Sequence, residues 1–339
     1  MFMIGFLRAI LSVILSVLCP LTSCIFGDYN APFEPKDPES VKVNFAVISD
    51  VHMTDHIMRT DRLDIGLYDM ANAEYPLDAL VMTGDITNNG TEIQYQRLKS
   101  CFDKYTPADN IIMAVGNHDV RTRNSINEYD ESPELYAEKE ELFVRYNKEI
   151  AGRSIDRVYY STVVNGFTFI VLGSEAGYQD FAYISPAQLN WLDAQLKIAT
   201  ADGKPAFVIS HWPINNTHGL PETWGEGIPQ PDDGGLGEQS DEVAAILKKY
   251  DNVFYITGHL HLGFTNDGQE KFYGYNSVEK DGTLTRVNVP GFMSGSTSGR
   301  VSLGTGYVFE VYENNVLIRA RSFYSGVWYT LYDYDIPLV

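Results

Sequence analysis

Apolar residues along this chain fall into short, nearly unbroken runs separated by stretches with helical spacing. The runs are 43–49 (VNFAVIS), 79–83 (ALVMT), 111–115 (IIMAV), 167–172 (FTFIVL), 206–210 (AFVIS) and 253–257 (VFYIT). Continuous apolar character over this length predicts strands covered on both faces. Helices are predicted between them. After Thr91, residues Tyr95, Leu98, Phe102 and Tyr105 share one face. Ser185-Pro186-Ala187-Gln188 forms a capping box with proline at the first helical position, followed by Leu189, Leu192 and Leu196. Ser240 opens a third, with Asp241 and Glu242 in its first turn and Lys248 and Lys249 in its last, as the helix dipole favours. The acidic stretch 128–149 carries Leu135, Leu142, Phe143 and Tyr146 and reads as a helix with one solvated face.

The last third changes character. Residues 307–312 and 316–322 flank Asn314-Asn315, a hairpin signal, and further β-rich stretches lie at 271–278 and 283–289. The expected fold class is therefore α/β, with antiparallel strands at the C-terminal end, within one domain spanning 41–339.

The start of the chain reads differently. Residues 9–21 (AILSVILSVLCPL) are apolar but shorter than the roughly 20 residues a membrane helix needs. Behind Arg8 they suit the core of a secretory signal. The run ends in Leu21-Thr22-Ser23-Cys24, which resembles the lipobox of bacterial lipoproteins. That resemblance implies cleavage after residue 23, a lipid on Cys24, and an extracytoplasmic protein anchored to a bacterial membrane. An ordinary secreted form is the alternative. Residues 24–40, with Pro32, Pro35 and Pro38 and no apolar period, read as a tether. The three cysteines are Cys19, Cys24 and Cys101. With Cys24 lipidated and Cys19 removed, no internal disulfide is expected, and Cys101 reads as a packed residue.

Among the 339 residues, 25 are Lys or Arg and 45 are Asp or Glu, a formal charge of −20. Such a surface repels phosphate backbones and makes a nucleic-acid polymer an unexpected partner. It does not exclude a local cationic site built from metal ions.

The candidate chemistry sits where the strands end. The first runs into Asp50-Val51-His52 and the second into Gly84-Asp85. The third runs into Gly116-Asn117-His118-Asp119, the fifth into His211, and the last into Gly258-His259-Leu260-His261. Five of the seven histidines occupy these positions. Ligands of open α/β sheets bind beyond the carboxyl ends of the strands, so these side chains can meet at one edge. Carboxylate, amide oxygen and imidazole together suit Mn, Fe, Zn, Co or Ni better than Ca or Mg.

The blocks D-x-H, GD, GNHD, H and GHxH, in this order over about Asn44 to Leu262, resemble the calcineurin-like metallophosphoesterases. The resemblance implies a four-layer α/β/β/α sandwich and a centre of two divalent transition metal ions. In that pattern Asp50, His52 and His261 hold one metal. Asn117, His211 and His259 hold the other, and Asp85 bridges them. His118 is the acid that assists the leaving group, Asp119 orients it, and a hydroxide bridging the metals attacks phosphorus. The stretch from Gly84 to Gly90, followed by Tyr95-Gln96-Arg97-Leu98, looks more like the branch of bacterial cyclic-nucleotide and glycerophosphodiester phosphodiesterases. Phosphodiester hydrolysis of a small substrate is thus the first expectation. Phosphomonoester hydrolysis, or a metal-binding surface lipoprotein without turnover, is the alternative. A sphingomyelinase-type head-group hydrolase fits less well, because no cysteine-rich region is present. No protein partner is expected.

Substrate contacts are sought in the loops around these blocks. Arg121 and Arg123 could grip a phosphate in a bidentate manner, or simply face solvent. His218 lies in the long 212–239 loop, as does Trp224, which could stack on a base or anchor the loop. His56 reads as a residue at a helix start.

Overall fold

The structure, a computed structural model, describes residues 27–28, 31–122, 128–220, 234–265, 274–293 and 303–339. All six apolar runs form strands: β1 (Val43–Ile48), β2 (Ala79–Met82), β3 (Asn110–Met113), β5 (Phe167–Val171), β6 (Ala206–Ile209) and β7 (Val253–Thr257). In β1 the odd positions Val43, Phe45 and Val47 face one core, and Ala46 and Ile48 face another. Both sides of the strand are therefore covered, as its composition requires.

Two sheets result. The first has the order β12 (Val327–Trp328), β11 (Asn315–Ser322), β10 (Thr305–Val311), β1, β2, β3, with β13 (Tyr334–Pro337) also on β11, and the second has β4 (Tyr160–Val164), β5, β6, β7, β9 (Leu284–Asn288), β8 (Val278–Asp281). Strands β1 to β3 are parallel, as are β5, β6, β7 and β9. The C-terminal hairpin β10 (Thr305–Val311) and β11 (Asn315–Ser322) lies antiparallel against β1, with Phe45 opposite Phe309. The sheets meet through an aromatic core in which the Phe45 ring is 5.0 Å from Phe169, 4.9 Å from Phe207 and 4.9 Å from Phe309. Helices α1 (Ile57–Ala71), α2 (Glu92–Phe102) and α4 (Pro133–Ala151) share a core with the outer side of the first sheet. Helices α5 (Pro186–Ala199) and α6 (Ser240–Leu247) do so with the second. The layers are α/β/β/α.

The expected capping is met in part: the Ser185 hydroxyl caps its helix, but the Gln188 side chain bonds Gly173 instead of closing a capping box, and Lys248 and Lys249 lie beyond Leu247, the last residue of α6. Ser185 and Ser132 each accept from a backbone N–H three residues on, with proline inside the first turn. Cys101 is buried and free. Among the described residues no helix is long and apolar enough to cross a membrane. Several elements were not legible as apolar runs, among them β12 and β13. A third is α1, whose start at His56 is exposed. A fourth is β4 (Tyr160–Val164), a half-exposed edge strand closed onto β5 by Asn165-Gly166, with φ of 49° and 81°. Within 271–278 only residues 274–278 are described, and the strand β8 (Val278–Asp281) starts at Val278.

The signal segment and Cys24 lie outside the described residues. The stretch read as a tether is, over residues 31–40, laid along the outer side of the first sheet. Phe33 is buried edge-on against Trp328 at 5.5 Å, and the Arg321 guanidinium lies 4.1 Å from its ring centre. Phe33 N–H donates to Glu74 at 2.6 Å, Trp328 Nε1 to Pro32 O at 3.0 Å, and Lys36 N–H to Glu310 at 2.9 Å. A single aromatic among prolines has no period to detect, so only the finished sheet shows that it has a seat. Truncation of Phe33 to Ala should cost about 3 kcal/mol, near the low end for a buried phenylalanine. Urea denaturation should show a lowered midpoint, with faster proteolysis of residues 31–40. A wild-type midpoint would mean that the seat contributes nothing.

Candidate metal centre

Backbone geometry assembles the ligands. Beyond β1 and β2 the chains stay paired. Asp50 N–H donates to Gly84 O at 3.1 Å, His52 N–H to Asp85 O at 2.8 Å and Met53 N–H to Ile86 O at 2.9 Å. Asp50, His52, Asp85, His259 and His261 all have positive φ, between 45° and 75°. A left-handed residue with a side chain costs on the order of 1–2 kcal/mol, and such strain collects at functional sites. Five of nine such non-glycine residues among those described are proposed ligands. Gly84 also has positive φ, and a Cβ there would lie 2.7 Å from the His211 ring, so glycine is the residue that lets His211 approach.

The donor atoms converge in two groups. Asp50, His52, Asp85 and His261 form one, and Asp85, His211 and His259 the other. Asp85 is common to both: its Oδ2 is 3.6 Å from His52 Nε2 and 3.3 Å from His211 Nε2. His52 Nε2 lies 3.0 Å from His261 Nε2, and His211 Nε2 lies 3.1 Å from His259 Nδ1. Two donors each about 2.1 Å from a shared cation, at tetrahedral to octahedral angles, stand about 3.0–3.4 Å apart. Asn117 completes the fit. Its Nδ2 donates to Gln179 O at 2.8 Å, while its Oδ1 is buried with no hydrogen-bond partner. A buried amide oxygen left in this state is costly unless a cation takes it.

The outer contacts aim these atoms. His211 Nδ1 is held by Thr83 O at 2.9 Å, which turns Nε2 inward. Asp50 Oδ2 accepts from His259 N–H at 3.1 Å and Asp85 Oδ1 from His118 N–H at 2.8 Å, leaving the other oxygen of each for the centre. Asn288, at the end of β9 (Leu284–Asn288), donates to Gly258 O and pins the last ligand loop. Trp212 stands edge-on to the His211 ring at 5.3 Å and donates from Nε1 to Asp180 O. Asn288, Gln179 and Trp212 carry no motif, and only the fold marks them.

Charge follows from this crowding. Burial would raise the Asp50 and Asp85 carboxyls, but the histidines around them hold both well below the usual range. Burial pushes His52 down to about 4 and His259 to about 3, so both are neutral donors at pH 7. His211 is also pushed down by burial, yet Asp85 and Asp50 outweigh this and raise it to about 9.

His118 stands at the rim. Its Nε2 is 3.9 Å from Asp85 Oδ2 and its Nδ1 is 2.9 Å from Asn88 O. Its pKa is lowered, by burial first and with help from Arg121. Asp119 does not touch this ring in the way expected of an orienting partner. Its carboxylate accepts from Gly116 N–H at 2.9 Å, Ile86 N–H at 3.1 Å, Thr87 N–H at 2.7 Å and Thr87 Oγ1 at 2.7 Å. It ties two ligand loops together, and backbone Asn88 O orients His118 instead. Burial and the nearby Asp85 raise the Asp119 carboxyl to about 6 despite these donors.

Arg121 places Nη2 2.7 Å from His118 Nδ1, on the side of the ring away from the centre, so it backs the imidazole. His218 is not among the ligands. It is buried at φ 54°, with Nδ1 2.6 Å from Asn276 O and with Glu279 and Arg286 as its charged neighbours. Arg123 and Trp224 lie outside the described residues.

Two groups of donors sharing one carboxylate, at the carboxyl edge of a two-sheet sandwich, define a protein built to hold a pair of cations. The family model for calcineurin-like phosphoesterases matches residues 43–263, and the chain belongs to that family. The chain is 26% identical over 193 residues to a probable cyclic nucleotide phosphodiesterase of Rhodococcus erythropolis, covering 56% of this chain and 52% of that one. It is 24% identical over 203 residues to a cAMP/cGMP dual specificity phosphodiesterase of Mycobacterium tuberculosis, covering 59% and 54%. The chain thus spans about half the length of these two curated relatives. It is 22% identical over 243 residues to a 3′,5′-cyclic-nucleotide phosphodiesterase of Nostoc, covering 69% of this chain and 77% of that one. In fold it is similar to a dimetal phosphatase from Danio rerio, with a TM-score of 0.54 at 14% identity over 88% of this chain and all of that one. It is also similar to a purple acid phosphatase from yellow lupin, with a TM-score of 0.57 at 12% identity over 91% and 55%.

Two outcomes are expected. Asp119→Ala leaves three backbone N–H groups without an acceptor. It should cost at least about 3 kcal/mol and loosen metal binding, read by urea denaturation and by metal titration. A stable variant with unchanged metal affinity would remove Asp119 from this role. His211 must also lose its proton to bind a cation. Metal affinity should therefore rise with pH up to about 9 and level off above it, because the proton competes only below the raised pKa. Calorimetry in buffers of different ionisation enthalpy should show at least one proton released.

Proposed function

We propose that the protein hydrolyses small phosphodiesters, with 3′,5′-cyclic nucleotides as the leading class, on the outer face of a membrane to which Cys24 anchors it. The observation that carries the reading is the Asp85 carboxylate set between two donor groups, with His118 Nε2 3.9 Å away. The diester preference is supported by the printed names of the relatives and by the segment after Asp85.

A pair of divalent cations in these groups supplies positive charge for phosphoryl oxygens and acidifies water enough to give a nucleophile at neutral pH. The donor set suits Mn, Fe, Zn, Co or Ni. The chain's own residues do the rest. Asp50 and Asp85 supply the buried negative charge that holds cations at this edge. The neutral imidazoles of His52 and His259 and the Asn117 amide oxygen complete the donor set. His118, fixed through Nδ1, presents Nε2 to the cleft, where it passes a proton to the departing alkoxide.

The test uses residues 25–339 loaded with Mn²⁺ and assayed on bis-p-nitrophenyl phosphate, p-nitrophenyl phosphate and cyclic AMP, with metal content measured on the same sample. Faster diester cleavage that chelation abolishes is expected. Faster monoester cleavage would move the reading to a phosphatase, and full metal content with no cleavage of any ester would move it to a binding protein. His118→Ala should keep its metals and lose roughly 10²–10⁴ in turnover, as for a lost general acid. Asp85→Ala should lose both metals and activity. Full activity in either variant would end that residue's assignment.

A further inference from the structure

The N-terminal segment is short where it matters and ends at a telling place. Asp28 pairs with Trp328 of β12 (Val327–Trp328), Trp328 stands opposite Arg321, and Arg321 stands opposite Gly306. Gly306 abuts Val47 and Ile48 at the end of β1. Asp28 is therefore level with the last residues of β1, two positions before the ligand Asp50. Four strand spacings of about 4.8 Å put it roughly 19 Å to the side. From there the chain descends: Arg319 Nη1 donates to Glu34 O, opposite the middle of β10, and Lys36 N–H reaches Glu310, which pairs with Asn44. Gly27, the first described residue, thus lies at the metal end of the sandwich. Gly27 itself is buried and wedged against Val327 and Trp328.

Only three residue steps separate Cys24 from Gly27, a reach of at most about 11 Å. The same end carries an adjacent pair of exposed apolar side chains, Ile57 at 66% and Met58 at 65%, which open α1 directly after the first ligand loop. The other strongly exposed apolar residues among those described, Val163, Ile198 and Val339, are far apart in sequence and do not form an adjacent pair. A net charge of −20 gives the domain no attraction of its own for an anionic bilayer.

We propose that residues 27–28 and 31–40, seated against the first sheet, act with a lipidated Cys24 as a strap that holds the metal end of the domain towards the bilayer, with Ile57 and Met58 at the headgroup boundary. The partner is a lipid surface. The catalytic edge then faces substrates confined to the thin layer above the headgroups. This rests on the lipid-anchor reading of Cys24.

The full chain is purified with its lipid and placed in phosphatidylcholine vesicles that contain a headgroup-nitroxide lipid, with the N-terminal peptide weighed by mass spectrometry. Lipidation consumes the Cys24 thiol and Cys101 is buried, so Met58→Cys or Asn314→Cys supplies the reactive thiol for a fluorophore. Asn314 lies in the exposed β10–β11 turn at the opposite end. Quenching at position 58 should exceed that at 314 several-fold, and a long Gly/Ser insertion between Cys24 and Gly27 should bring the two close to equality. Equal quenching in the lipidated, uninserted protein overturns the proposed orientation. A ratio untouched by the insertion overturns the strap as its cause. A peptide mass without lipid overturns the anchor reading itself, and the orientation with it.

Discussion

Two carboxylates, Asp50 and Asp85, are buried side by side at one sheet edge, and most of the molecule's local structure answers the electrostatic problem they create. Burial would drive each towards its neutral form, and the charge of Asp85 adds to this at Asp50. Each is kept ionised by imidazoles, with His211 within 3.3 Å of Asp85 and His261 within 2.9 Å of Asp50. Without cations the His211 proton supplies the balancing charge. With cations that proton is displaced, and the same geometry serves as a coordination shell. A fold that buries negative charge in this way is poised to take up positive charge, and that is the physical root of its chemistry.

Holding that charge demands unusual backbone. Ligands at positive φ, a glycine against the His211 ring and an amide with a bare buried oxygen each cost stability. The cost is offset outside the centre, by the aromatic seam between the sheets around Phe45 and by Asp119, whose four accepted bonds clamp the loops from β2 and β3. The outer packing of residues 31–40 adds a second seam on the far side of the first sheet. There Arg319 and Arg321 lie over the Trp328 ring at 3.7 and 4.6 Å, and their charges are met by Glu310 and Asp69. This seam seats residues 31–40 against the first sheet, and so ties an apparently peripheral segment to the body of the domain.

Much of this was legible before any coordinates. The six buried strands announced themselves by unbroken apolar runs, because a strand covered on both faces needs apolar side chains at every position. The candidate metal ligands announced themselves because five of the six runs led into an oxygen or nitrogen donor, and the order of the blocks matched one family. Chain-local information sufficed wherever the physical demand was local. Capping of α5 by Ser185 and burial of Cys101 belong to the same group.

What the sequence could not carry were relations between distant parts of the chain. Asp119 looked like a partner for its neighbour His118, but a carboxylate goes where unsatisfied N–H groups are, and those of Gly116, Ile86 and Thr87 come together only when β2 and β3 pair. Arg121 read equally as a phosphate clamp or a solvated loop residue, and folding set it behind the His118 ring. Residues 24–40 read as a free tether, because Phe33 finds its pocket only once β11 and β12 exist. The sequence by itself determined which strands are buried, which side chains are candidates for ligation and which family the chain belongs to. The tertiary structure alone decided which side chains orient those ligands and how the N-terminal segment is seated, since hydrogen-bond partners and pockets are properties of segments brought together from far apart.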